Sequence, residues 1–321
     1  MRHRRYSPPL PVPPALAMAL AMLSVLMLSG CGTDAAPGAA AGTPAPARIS
    51  VVASTNVYGD IAARIGGDKV TVRSIIDLPS QDPHSYQATA QDKLAVSKAQ
   101  LGIENGGGYD DFFDQLAAGG TLPAERILNV ARLSGLETDA TRDSFNEHVW
   151  YFMPTVARLA DAIASRLGEL DPSSAPSFRV NADAFKASTQ RISAKLAALK
   201  AAHGTEPVAI TEPVPLYLLQ AAGLVNQTPP AYSHAVEQGT DVPASVLKET
   251  TDLLRNKKVK FLAYNDQTEG PQTRALRDAA TAAGIPVVSF SETLPQDLDY
   301  LAWMNANADH IGQALTTSPA P

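Results

Sequence analysis

Cysteine is nearly missing from this chain of 321 residues: Cys31 is the only one. A single thiol excludes any internal disulfide and leaves stability to the apolar core and, where present, a bound ion. Aromatic residues make up only 6% of the sequence, too few to favour an aromatic-lined cleft for a large organic ligand. Basic residues are outnumbered, 26 against 32 acidic, and form no extended cluster beyond the first five residues, so no nucleic-acid partner is expected. No apolar run reaches the ~20 residues that a transmembrane helix needs. The longest, Ala15 to Leu28, is broken by Ser24. No period of 20–50 residues recurs, which excludes a solenoid.

What the N-terminus does contain is the grammar of a secretory signal. Arg2, Arg4 and Arg5 precede the apolar run, which ends at Leu28-Ser29-Gly30-Cys31. That tetrad resembles the lipobox of bacterial lipoproteins. The resemblance implies cleavage before Cys31, a lipid on its sulfur, and a protein anchored to the outer face of the cell membrane. Once acylated, Cys31 could serve neither as metal ligand nor as nucleophile. Gly32 to Ala47 is almost wholly Gly, Ala, Pro and Thr, with too little apolar surface to offset ordering entropy, and reads as a flexible tether. Loss of the leader arginines makes the net charge of −6 more negative, which favours a cationic ligand.

The rest alternates short β-branched runs with longer amphipathic stretches, the pattern of parallel α/β sheets. Strands are expected over residues 49–54, 69–76 and 100–104, with helices over 57–65, 91–98 and 111–116. Apolar residues at helical spacing cover 154–168. A long helix follows from about Val180 to His203, free of Pro and Gly. At ~1.5 Å per residue it exceeds 30 Å, long enough to act as a rigid connector. Strands at 207–211, 259–265 and 285–290 then alternate with helices at 215–222, 272–283 and 298–315. The expected fold class is α/β, with two parallel-sheet lobes joined by one long helix and a ligand cleft between them. The expected divisions are a signal peptide (1–30), lipidated cysteine and tether (31–48), first lobe (49–179), linking helix (180–204), second lobe (205–315) and tail (316–321).

There are six histidines. His3 lies in the leader, His203 ends the long helix, and His310 falls in the last helix. His234 follows Pro229-Pro230 on a segment that reads as irregular, and is a minor ligand candidate. His84 and His148 sit on loops leading out of α/β units, where ligand sites of open sheets collect. Glu212 and Glu292 directly follow strands of the second half. Each could be an ordinary acid beside a helix N-terminus. Together, two imidazoles from one lobe and two carboxylates from the other form a plausible four-ligand site for a divalent first-row ion, with Mn2+ favoured by the anionic oxygens and Zn2+ kept as the alternative that tetrahedral N/O donors also bind.

Pro83-His84-Ser85-Tyr86-Gln87 resembles the Pro-His-x-Tyr-Glu motif of the zinc/manganese-type substrate-binding proteins of ABC transporters. Asn146-Glu147-His148-Val149-Trp150 is similar to that family's Asn-Pro-His-Val-Trp. Ile210-Thr211-Glu212-Pro213 and Ser291-Glu292-Thr293-Leu294 resemble the contexts of its third and fourth ligands. The likeness runs from about Ile49 to Leu315. It implies a monomeric extracytoplasmic receptor, not an enzyme, that binds Zn2+ or Mn2+ through His84, His148, Glu212 and Glu292. The receptor would deliver the ion to an ABC permease. The chain departs from the pattern at Gln87, where Glu is common, at Tyr151-Phe152-Met153, where Leu-Asp-Pro is common, and at Glu292, where Asp is more usual. Many zinc-uptake members carry a His-rich loop in the first lobe; residues 85–147 hold no histidine, which tilts the expectation toward manganese. Two alternatives stay open at this point: an exported metallohydrolase using a His/His/carboxylate site, and a receptor for an organic metal chelate such as a siderophore. An additional adhesin role is compatible with any of these.

Overall fold

The structure is a computed structural model, and it describes residues 48–119, 122–138, 140 and 145–317. The signal sequence, Cys31, the tether up to residue 47 and the end of the tail lie outside the described residues.

The first lobe is built on β1 (Ile49–Thr55), α1 (Asn56–Gly66), β2 (Val70–Ile76), α2 (Ala90–Lys98), β3 (Leu101–Glu104), α3 (Asp111–Ala117), β4 (Ile127–Asn129) and α4 (Val130–Ser134). Its four strands are all parallel, in the order β2-β1-β3-β4. Then α5 (Met153–Leu170) and α6 (Ala175–His203) pack along one side. The second lobe comprises β5 (Pro207–Ile210), α7 (Leu216–Ala221), β6 (Val225–Asn226), α8 (Pro230–Glu237), α9 (Ala244–Arg255), β7 (Leu262–Asn265), α10 (Pro271–Ala282), β8 (Val287–Phe290) and α11 (Tyr300–Thr316). Its sheet repeats the same order, β6-β5-β7-β8, again parallel. In each sheet the chain leaves the first strand toward one edge and returns to build the other, so the strand order reverses at β1/β3 and at β5/β7. Such reversals open a crevice at the carboxyl ends of the strands.

The alternation of the sequence is thus realised as two parallel-sheet lobes and a long helix. That helix starts at Ala175 rather than near Val180, because Pro176 stands in the first turn, where a missing N–H costs nothing. The segment holding His234 is not irregular: it is helix α8, which Pro230 opens for the same reason. Short β4 and β6 and helices α4 and α9 are additions to the expected elements.

A single apolar core runs through both lobes. It joins β1 and α1 of the first to α5, α6, β5, β8 and α11, with Tyr58, Trp150, Phe178, Phe185, Tyr300 and Met304 at most 2% exposed. Each sheet's other face has its own smaller core. Burial of apolar surface at ~25 cal/mol per Å² makes separation of the lobes costly. Polar bonds reinforce the junction: Asn56 exchanges two hydrogen bonds with the backbone of Leu294 (3.0 and 2.8 Å), and Tyr151 donates to the Ser291 carbonyl (2.8 Å). Arg64 pairs with Asp299 at 2.6 Å on the surface.

Candidate metal centre

All four sequence-selected ligands line one cavity of about 640 Å³ at the carboxyl ends of the two sheets. His84 lies on the loop after β2. The Asp82 carboxylate shapes that loop, accepting from the His84 backbone N–H at 3.0 Å and from the Ser85 hydroxyl at 2.7 Å. This is an Asx-type turn, in which a short side chain mimics a backbone turn. His84 is exposed, while His148, before a 3₁₀ turn over Val149–Tyr151, is only 1% exposed. Tyr109 packs edge-on to both imidazoles, with ring centroids 5.0 Å from His84 and 5.9 Å from His148, and Trp150 backs the latter at 5.1 Å. The rings are held by neighbouring planes before any ion arrives.

His148 Nδ1 lies 2.7 Å from Asn146 Oδ1, and Asn146 Nδ2 donates to the Pro213 carbonyl at 3.1 Å. Since an amide oxygen only accepts, the imidazole carries its proton on Nδ1 and presents a bare Nε2. A metal-binding histidine is commonly oriented in this way. Burial, then the neighbouring His84, push the His148 pKa down to about 3, so the ring is neutral at any physiological pH and protons do not compete for Nε2.

Glu212 follows β5 and Glu292 follows β8; they are 3% and 4% exposed. Asn265, the last residue of β7, bridges them: its Nδ2 donates to Glu212 Oε2 at 2.5 Å and to Glu292 Oε1 at 2.8 Å. Thr268 also donates to Glu212 Oε2. The second oxygen of Glu292 is buried without a hydrogen-bond partner. Burial raises both carboxyls, and Glu292, with Glu212 as the next cause, is pushed up to about 7. Ligand atoms of His84, His148 and Glu292 all lie within 4.8 Å of one another, the spacing of donors around one ion; Glu212 stands outside that triad, hydrogen-bonded to Asn265 and Thr268.

Sequence reasoning missed three residues here. Asn265 carried no signal beyond its place at a strand end. Glu147 was visible inside the histidine motif where the family has proline. Glu237, on α8 one turn beyond His234, forms a second group with Glu147 and His148, again within 4.8 Å. Among the described residues no lysine or arginine lines the cavity, whose acids include Asp82, Glu212, Glu237, Asp241, Glu269 and Glu292. Burial, then Glu147, Glu212 and Glu292, push Glu237 up to about 9.

Two parallel α/β lobes, a long connecting helix and a His/carboxylate cleft are the build of a transporter's substrate-binding protein. Residues 51–314 match the family described as zinc-uptake complex component A, periplasmic, and the chain belongs to it. It is 24% identical over 313 residues to the manganese ABC transporter substrate-binding lipoprotein scaA of Streptococcus gordonii, covering 91% of this chain and 97% of that protein. To the manganese-binding lipoprotein MntA of Bacillus subtilis (strain 168) it is 28% identical over 177 residues, covering 54% of this chain and 55% of that one. Among solved structures, the SBP FpvC from Pseudomonas aeruginosa in complex with Mn2+ superposes with a TM-score of 0.67 at 23% identity. That match covers 84% of this chain and 98% of that one.

Proposed function

We propose that this protein is an extracytoplasmic receptor, not an enzyme, that binds Zn2+ or Mn2+ and hands the ion to an ABC permease. The observation that carries the reading is the convergence of His84, His148 and Glu292 ligand atoms within 4.8 Å, in a cleft lined by no lysine or arginine among the described residues. Glu212 is the fourth ligand, and Asn265 fixes the spacing of the two carboxylates. Buried ionised carboxylates cannot be left uncompensated cheaply, and a divalent cation supplies the missing charge while the bare Nε2 of a neutral imidazole supplies a donor. Four protein donors fill a tetrahedral sphere, which leaves no open position for a catalytic water. The relatives' names carry manganese and the family description carries zinc, which supports either metal. A siderophore-like chelate fits less well, since among the described residues no Arg, Lys, Phe, Tyr or Trp lines the cavity.

Metal analysis of protein purified without chelator, followed by calorimetric competition between Zn2+ and Mn2+, tests the assignment. One tightly bound equivalent of either ion is expected; no binding of either overturns it. Resemblance of residues 28–31 to a lipobox supports anchoring through Cys31, with the protein acting as a monomer beside its permease. Cys31→Ala is therefore expected to move the protein from the membrane fraction to the soluble exported fraction. Unchanged membrane association on fractionation would remove the lipid anchor from the reading.

A further inference from the structure

The loop that carries His84 covers residues 77–89, between the end of β2 and the start of α2. A side chain of the second lobe reaches it: Gln267, just past Asn265 at the end of β7. Both ends of the Gln267 amide are fully used. Oε1 accepts from the backbone N–H groups of Glu292 and Thr293 at 2.5 and 3.0 Å. Nε2 donates to the Thr293 hydroxyl at 2.8 Å and to the Pro79 carbonyl at 2.6 Å. A primary amide has two donor hydrogens and two acceptor lone pairs, so none is left over. Turned over, the amide would set its NH2 against two N–H groups, which fixes its orientation. The Gln267 backbone N–H donates in turn to Asn265 Oδ1 at 3.1 Å, and Asn265 Nδ2 holds both carboxylates.

Among the described residues, the bond from Gln267 to Pro79 is the one side-chain hydrogen bond between this loop and the second lobe. The Glu292 segment has other holds, through Asn56 at Leu294 and Tyr151 at Ser291. Loss of the Gln267 amide therefore loosens the loop more than it loosens the carboxylate. Neither Gln267 nor Pro79 lines the metal cavity. From this geometry we infer that Gln267 is the latch of the metal site. It closes the His84 loop onto the second lobe and sets how fast the ion enters and leaves, without setting how tightly the ion is held. The inference rests on the receptor reading and adds kinetic control to it. The latch joins two protein groups that are not donors to the ion, so it stabilises the closed loop equally with and without metal. A contact that does not distinguish two states shifts no equilibrium between them, and Kd stays where it is. The same contact lowers the fraction of open loop through which the ion passes in either direction. One hydrogen bond of ordinary strength slows both passages ~tenfold.

Stopped-flow fluorescence on the full-length protein in detergent, with Zn2+ as the probe, tests the latch. Trp150, beside His148, is the reporter. Mixing with Zn2+ gives association, mixing loaded protein with excess chelator gives dissociation, and calorimetry gives Kd. Gln267→Met, of similar length but without the amide, is expected to raise both rates ~tenfold and to leave Kd within about twofold of wild type. Gln267→Asn keeps an amide that is one methylene too short to reach both lobes, and should behave in the same way. Thr293→Val removes the other acceptor of Nε2 but keeps the bond to Pro79, and should leave both rates unchanged. Amide hydrogen exchange should quicken over residues 77–84 in Gln267→Met and stay level in β1. Unchanged rates in both Gln267 variants overturn the latch, as does unchanged exchange over 77–84. A Kd weakened tenfold at an unchanged association rate overturns it too, since Gln267 would then act by placing Glu292. So do rates that rise as far in Thr293→Val as in Gln267→Met. All of these leave the receptor reading standing; wild-type protein that binds no Zn2+ overturns that reading instead.

Discussion

His148→Ala is expected to weaken Zn2+ and Mn2+ binding at least ~1,000-fold, equivalent to about 4 kcal/mol. Of the proposed ligands it is the most thoroughly prepared. The ring is 1% exposed, its Nδ1 proton is committed to Asn146, and aromatic neighbours fix its plane. Its pKa near 3 means that no proton competes with the metal. A mobile or protonated ligand would have to lose entropy or a proton on binding; this one loses neither. Alanine thus removes a donor that contributes its full bond energy. The same argument sets a thermal signature. Wild type in ion at 1,000 times its Kd gains ~4 kcal/mol of stability, which at about 2–4 °C per kcal/mol raises Tm by on the order of 10 °C. His148→Ala should show almost no such shift while the metal-free variant still melts cooperatively. An undiminished metal-induced shift in His148→Ala, or an unchanged calorimetric Kd, would show that the centre lies elsewhere.

His84 belongs to the same triad but to a different mechanical regime. Its loop, between β2 and α2, is exposed and holds its shape through Asp82, Ser85 and Gln81, whereas His148, Glu212 and Glu292 stand on the shared core. Asn146 and Tyr217 tie the His148 loop to the Glu212 loop, through the Pro213 carbonyl at 3.1 Å and the Asn146 carbonyl at 2.7 Å. Asn56 ties α1 to the segment after Glu292. Rotation of one lobe against the other would break these bonds and open the apolar core between them. Movement of the His84 loop breaks little. Its one side-chain bond to the second lobe is from Gln267 to the Pro79 carbonyl (2.6 Å). On the proposed reading, entry and release of the ion are governed by this loop more than by a hinge, with α6 holding the lobes at fixed spacing.

The fold was legible because its signals are long-range in sequence and strong: alternation of apolar strands with amphipathic stretches, and an uninterrupted run up to His203. The short pieces were not. β4 has three residues and β6 two, and neither can show a period. Helix α8 was hidden by Pro229-Pro230, which read as a breaker although proline is favoured at a first helical position. Helix α9 did carry a stripe at Val246, Leu247, Thr250 and Leu254, but its start follows Asp-Val-Pro, a turn signal. For the site, the motif histidines and the strand-end acids could be chosen from position alone. Asn265, Glu147 and Glu237 could not, because their importance comes from which oxygen meets which donor across the cleft, and that is fixed by tertiary contact.

Those carboxylates also set how stability responds to pH. Asp110, which accepts from the backbone N–H groups of Asn105 and Gly106, is raised by burial from 3.8 to about 6. Glu292 is raised from 4.5 to about 7 and Glu237 from 4.5 to about 9, in both cases first by burial. For an acid whose folded pKa exceeds its unfolded value, the folded state holds the extra proton. Stability is then greatest below the unfolded pKa and declines as pH rises toward the folded one. The window runs from about 4 to 6 for Asp110, to about 7 for Glu292 and to about 9 for Glu237. Metal-free protein in chelator should accordingly lose Tm between pH 5 and pH 8. At ~1.4 kcal/mol per unit of displaced titration and about 2–4 °C per kcal/mol, the fall is on the order of 20 °C. Saturating Zn2+ should flatten that slope, since the ion stabilises the ionised form of Glu292 and competes with its proton. Differential scanning calorimetry across that range, with and without metal, measures both slopes. A metal-free Tm that is level or rising from pH 5 to pH 8 would mean that these carboxyls are already compensated in the folded protein, and the charge argument for a cation in the cleft would lose its basis.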